Sequence, residues 1–346
     1  MEHGFGLSGA VSLVKDFLSG YSESFLVALA LWPFASFAAT LPILAYLYHR
    51  DGRLKFASVV ATYLAVLYVL GLGCFTLYPL PDGTSGLGIT YGAPWQLDPL
   101  AFVDDLRREG LSALPQIAFN VVFFMPLGFI AGRLLRLGFV PSVLLGLLAS
   151  FAIEAAQGTG LFGIYPYAYR TADVNDLLWN TSGAALGWVC SWLLGRVLPP
   201  GALAEPGEVT HAPGLVRRCV AFALDMLLVG LITTVLCVAI ELVLRCMSGG
   251  EAFRARWFDW PWVLAVAVAV FVLVEWALPW THGGETPGGG FVRMSCETRG
   301  RTAGRRVLFY LVRLAVLGVA CLTLPFTWWM FGLFYLIARR MPYDYI

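Results

Sequence analysis

The sequence predicts an all-α, polytopic integral membrane protein of about eight or nine transmembrane helices in two bundles, and three features carry that prediction. Hydrophobic residues make up 59% of the 346 and charged residues only 13%, against roughly half and a quarter in soluble domains. The apolar residues gather into runs of about the 20 residues that cross a hydrocarbon core as a helix. Between residues 198 and 214 these runs give way to PPGALAEPGEVTHAPG, whose proline and glycine content reads as a linker. The expected organisation is a first membrane domain over 1–197 with about five spans, the linker over 198–214, and a second domain over 215–346 with three or four spans.

The chain begins with a mixed stretch in which Phe5, Leu7, Val11, Val14 and Leu18 can line one side of a helix lying at the membrane interface. No cationic region precedes a continuous apolar run there, so a cleaved secretion signal is not expected. The first span runs from about Phe25 to Tyr48, with Pro33 and Pro42 inside it. The basic loop that follows, Arg50, Arg53 and Lys55, belongs on the cytoplasmic face by the positive-inside rule. A second span, about Phe56 to Tyr78, returns outward into a long connection from Pro79 to Pro115, long enough to cap a site. The third span, about Leu114 to Leu135, ends in Arg133 and Arg136 and carries Pro126, read as a tolerated kink. The fourth, about Pro141 to Gln157, and the fifth, about Asp176 to Leu194, follow. This alternation places the connection between the last two on the extracytoplasmic side.

That connection and the helix ends around it concentrate the polar residues of the first domain. Glu154 and Gln157 close one apolar run, Arg170 and Asp173 lie between, and Asp176 and Asn180 open the next, with Asn120 near the start of the third span. A charge in such surroundings is costly unless it has a partner or lines a wet cavity. Steps of three or four residues put Asp173, Asp176, Asn180, Gly183 and Gly187 on one stripe if the segment is helical, and the two glycines let another helix approach closely. Arg170 is available as counter-charge. These residues, Asn120 included, predict a shared polar pocket. Glu154, Asp173 and Asp176 are also the oxygen ligands that Mg²⁺ or Ca²⁺ accepts, so a hard-cation site is open to them, although no cofactor is required.

Three ordered motifs, NVVFFMPLGF, SFAIEAAQ and RTADVNDLLWNTSGAALG, resemble the VanZ-like membrane proteins, named for a teicoplanin-resistance factor. The resemblance covers roughly the first 200 residues. It implies a multi-span domain of the bacterial cell membrane with envelope functions and, in some members, glycopeptide resistance.

Beyond the linker, apolar runs extend over about Leu215 to Leu244, Trp262 to Trp280 and Val307 to Ala338. The last is too long for one span, and Pro325 is expected to divide it, either into two short spans or into a span and an interfacial helix anchored by Trp328 and Trp329. Arg218 and Asp225 stand seven residues apart on nearly one helical face. The opening GLVRRCVAFALDMLLVG, together with GGETPGGG, TRGRTAGRR and YLVRLAV, resembles the RDD family. By that resemblance Arg218, Asp225 and Arg313 take the family's Arg and Asp positions, and a loosely proposed transport role is implied. Pairing with Arg218 or Arg313 would relieve the cost of Asp225 inside a span. GGETPGGG itself lacks the lysine and hydroxyl of a phosphate loop and reads as a flexible loop.

Several chemistries are excluded. A net charge of +1 offers no basic face for nucleic acid. The four histidines are scattered and no zinc spacing occurs, and the seven cysteines form no C-x-x-C pair. No Walker loop or nucleophile elbow is present. Two readings remain. In the first, an outward-facing polar pocket binds an amphipathic or lipid-linked envelope molecule. In the alternative, the carboxylates perform acid–base or metal-assisted chemistry on a lipid-linked phosphate or sugar, or the chain transports a small solute or ion.

Overall fold

The computed structural model describes residues 22–80, 95–110, 114–168, 170–197, 208–248 and 260–346. The expected interfacial helix at Phe5–Leu18 and residues 198–207 of the linker lie outside them, as does 81–94 of the long connection. Among the described residues seven helices are long and apolar enough to cross a membrane, and the chain is a multi-pass membrane protein, almost wholly α-helical. It divides into two compact units. One holds the described residues up to 39 and from 55 to 197, and the other holds 40–54 and those from 208 onward. One division falls in the 198–214 stretch and another within the first helix, α1 (Ser22–Asp51), where the sequence carries no linker.

In the first unit α2 (Phe56–Leu77), α4 (Leu114–Arg133), α5 (Phe139–Gly158) and α6 (Val174–Val197) form the bundle, with a short α3 (Ala101–Glu109) in the connection. Helix α6 is 24 residues long but is not among the seven, because its polar and glycine-rich stripe lowers its hydropathy. With it, eight described helices reach spanning length. The stripe is the packing seam. A Cβ on Gly183 or Gly187 would run into the backbone carbonyls of Val121 or Met125 in α4, and one on Gly128 of α4 would run into the carbonyl of Ala184. Only glycine permits that approach, which in lipid replaces the missing hydrophobic drive with van der Waals contact. Pro126 leaves α4 continuous, as the tolerated-kink reading expects. Leu72, Phe124 and Leu127 form the core beside this seam.

Two short strands tie the connections together. β1 (Trp95–Gln96) pairs in parallel with β2 (Ala172–Asp173), Trp95 opposite Ala172 and Gln96 opposite Asp173. Asn175 Nδ2 donates to the Asp98 carbonyl at 3.0 Å, and Phe102 of α3 meets Trp179 edge-on at 5.3 Å. The described end of the long connection is thereby pinned to the start of α6.

The second unit is built on α7 (Leu215–Ser248), α8 (Trp260–Thr281, with one π turn at Leu273–Ala277), α9 (Pro287–Phe291) and α10 (Ala303–Ala338). Two expectations are corrected here. Helix α10 is one continuous helix of 36 residues through Pro325, about 54 Å long at 1.5 Å per residue. Proline keeps a helical φ and removes a single donor, so it need not end a helix in a membrane protein. The segment GGETPGGG is an ordered turn into α9 rather than a flexible loop. Thr286 caps that helix through Gly289 N at 2.9 Å, and Gly288 sits where a Cβ would strike the Ala221 carbonyl of α7. At one end of this unit Arg217 donates to the carbonyls of Gly52 and, at 3.2 Å, Arg293, and stacks on Tyr48 at 4.7 Å.

Candidate functional site

In the first unit the ends of α2, α4, α5 and α6 leave a cavity of about 280 Å³. Asn120, Glu154, Gln157, Arg170, Asp176 and Asn180 all line it, as do Thr76, Gln116 and the rings of Phe75, Phe119, Phe123 and Phe124. Phe123 stacks on Phe119 at 5.1 Å and meets Phe75 edge-on at 5.2 Å. One wall is therefore aromatic and rigid, and the other polar.

The polar residues divide by what their side chains do. Asp173 does not line the cavity. It precedes α6 as its N-cap, where Oδ1 accepts from the backbone of Asn175 at 2.8 Å and from its Nδ2 at 2.9 Å, satisfying a donor that the first turn leaves open. Asp173 is thus not on the helical stripe, which begins with Asp176. Nor is Arg170 a counter-charge to the carboxylates: it donates to the carbonyls of Thr76 at 3.0 Å and Tyr78 at 3.2 Å. A cation at the last, unpartnered carbonyls of α2 completes that helix end and favours its dipole. Gln157 Nε2 bonds to the same Thr76 carbonyl at 2.8 Å.

Glu154 and Asp176 remain. Glu154 is 6% exposed, and one of its oxygens accepts the Asp173 N–H at 2.9 Å. Asp176 stands in the first turn of α6, where the helix dipole favours an anion, and accepts from Asn120 Nδ2 at 2.5 Å. Neither forms an ion pair among the described residues. Asn180, 5% exposed, donates to Ser150 at 3.0 Å and leaves its Oδ1 without a partner among those residues. Two carboxylates thus line a small, half-aromatic space in which the one arginine is engaged by carbonyls, with acceptor capacity left over. Among the described residues no three His, Cys, Asp or Glu side chains converge as a metal ion would need, and with Asp173 engaged as a cap the three-carboxylate cation site is not assembled.

The second unit treats its charges differently. Arg218 pairs with Asp344 at 2.9 Å and reaches the Tyr343 hydroxyl at 3.3 Å. Arg313 lies 2.5 Å from Glu275 and also donates to its carbonyl at 2.6 Å. Asp225, expected to pair with one of these arginines, pairs with neither. It accepts from the Thr286 hydroxyl and the Gly288 N–H, each at 2.6 Å. Burial pushes the Tyr343 phenol up from its ordinary range against the pull of Arg218, so it stays neutral beside that pair. It likewise raises the Cys296 thiol.

Sequence reasoning missed Gln116, Thr76, Glu275 and Asp344. Gln116 stands four residues before Asn120, the spacing of one helical face. Glu275 is a lone acid within an apolar run, a signal in itself. The role of Thr76 is carried by its backbone and left no trace in residue type.

A family model described as VanZ/LLP1 matches residues 64–195, and one described as the RDD family matches residues 212–341. The first match contains every residue lining the cavity, and the second contains Arg218, Asp225, Glu275 and Arg313. No curated protein and no solved structure matches the chain.

Proposed function

A VanZ-like domain and an RDD domain stand in tandem in this multi-pass membrane protein, and from the cavity in the first we propose that it binds the polar head of an amphipathic or lipid-linked molecule of the cell envelope. The observation that carries this reading is the pair Glu154, buried, and Asp176, half-buried, which line one cavity with no ion pair to either among the described residues, the arginine in the same lining, Arg170, being bonded to carbonyls instead. A structural role would spend these charges on ion pairs or caps, as Asp173 and Arg170 are spent. The remaining acceptors call for a ligand rich in N–H and O–H donors or carrying a positive charge, and the phenylalanine wall calls for an apolar or sugar face beside that head. At about 280 Å³ the space falls just below the range that encloses a drug-sized ligand, so it takes one end of a larger molecule. Among the described residues no hydroxyl or thiol nucleophile is directed into it: the Thr76 hydroxyl donates to the Leu72 carbonyl at 2.8 Å. Recognition therefore fits better than group transfer.

Because some VanZ-like proteins are associated with glycopeptide resistance, teicoplanin is the first molecule to test. Expression in a susceptible bacterium should raise the inhibitory concentration of teicoplanin, and Glu154→Gln and Asp176→Asn should each abolish the rise at equal membrane abundance. Protection that persists in both variants would refute this function for the pocket.

A further inference from the structure

The second unit contains its own ligand-sized space, a cavity of about 670 Å³ within α7, α10, the residues flanking α9 and the turn that follows α10. Its volume lies in the middle of the range of small-molecule sites. Most of its wall is apolar, including Leu41, Phe222, Met226, Val316, Leu317 and Phe331. The polar groups include Arg218, Asp225, Thr286, Arg313 and the Tyr343 phenol, which accepts from Arg218.

Charge accounting distinguishes them. Arg218 is neutralised by Asp344, and its Nε donates to the Pro213 carbonyl at 3.2 Å. Arg313 is neutralised by Glu275. That leaves Asp225, 1% exposed, held only by a hydroxyl and a backbone N–H, each taking one of its several acceptor sites. Beside it Arg313, 6% exposed, keeps an Nε–H with no partner among the described residues. An isolated carboxylate in an apolar cavity is stabilised by a cation that arrives with its own apolar body. We infer that this cavity is a binding site for a monocationic amine with an alkyl chain, its ammonium on Asp225, its chain along α7 and α10, and any neighbouring oxygen acceptor on the Arg313 Nε–H.

The probe is decylamine, with decanol and decanoate as chains of the same length that are neutral and anionic. On the full chain purified in detergent, decylamine should raise the thermal midpoint by about 3 °C or more at saturation, and decanol and decanoate should not. Two variants separate the site from general partitioning. Asp225→Asn removes the charge and should abolish the shift. Because that change also disturbs the bond to Gly288, Gly332→Leu is the second. Gly332 lines the cavity, and a Cβ there meets open space, so leucine adds bulk to the lining without a clash and at a distance from the polar groups in the sequence. It too should abolish the shift. Equal stabilisation by all three chains, or a decylamine shift that survives Gly332→Leu, would overturn the assignment. Measured in a Glu154→Gln, Asp176→Asn background, the shift should still appear and still be lost with Asp225→Asn, which reads this cavity without a contribution from the first-unit pocket.

Discussion

The two units bury charge in opposite ways. In the second, Arg313 lies against Glu275 and Arg218 against Asp344, so these two arginines each have a carboxylate, and Asp225, held by a hydroxyl and an N–H, is the exception. In the first, Arg170 and Asp173 are turned to backbone groups at helix ends, and Glu154 and Asp176 line a cavity without an ion pair among the described residues. A buried ion pair adds little net stability, but breaking it is costly because one charge is left behind. A carboxylate that never had a partner carries no such liability. The contrast separates charge that the fold requires from charge that the fold merely tolerates, and it assigns the second kind to ligand binding.

The comparison breaks most visibly at Glu275. Glu275→Gln leaves the Arg313 guanidinium buried and uncompensated, with an expected loss of about 3–5 kcal/mol, read as a collapse of folded yield or thermal midpoint in detergent. Pairing the change with Arg313→Met should recover much of that loss, since an apolar pair of similar volume is often no less stable. A single variant as stable as the wild type would remove the structural role from this ion pair.

A smaller effect is expected at the seam that holds the pocket open. Gly187→Ala drives a methyl group into the Met125 backbone, and overpacking of this kind costs about 1–3 kcal/mol. Because α4 carries Asn120 and α6 carries Asp176, separating the helices should also weaken any ligand response. Unchanged stability would show that the two helices adjust without loss.

Much of this was legible from residue spacing. The polar residues around Glu154 and Asp176 and the glycine stripe of α6 follow from helical periodicity, because residues three or four apart share a face whatever the tertiary structure. The division of labour among them was not legible. Whether Asp173 is the last residue of a strand or the first of a helix decides between a cap and a pocket wall, and helix ends are the least determined feature of a sequence pattern. Arg170 finds carbonyls more than 90 positions earlier in the chain, a pairing that no local signal encodes. Likewise Asp225 was matched to the arginines nearest in motif, whereas the glycine turn before α9 brought it a hydroxyl and an N–H instead. The proline in α10 misled for a related reason: its local penalty of one lost donor is small against the packing of a helix 36 residues long.

The central claim is that Glu154 and Asp176 are held for a ligand and not for the fold, and the thermal midpoint of the double variant Glu154→Gln, Asp176→Asn measures it most directly, with Glu275→Gln as the internal standard. Both substitutions keep shape and keep an oxygen to accept from Asp173 N and Asn120 Nδ2. The account predicts a double variant within about 1 kcal/mol of the wild type, folded and inserted, while Glu275→Gln is severely destabilised. A double variant that loses as much stability as Glu275→Gln would place these carboxylates among the supports of the fold and contradict the claim.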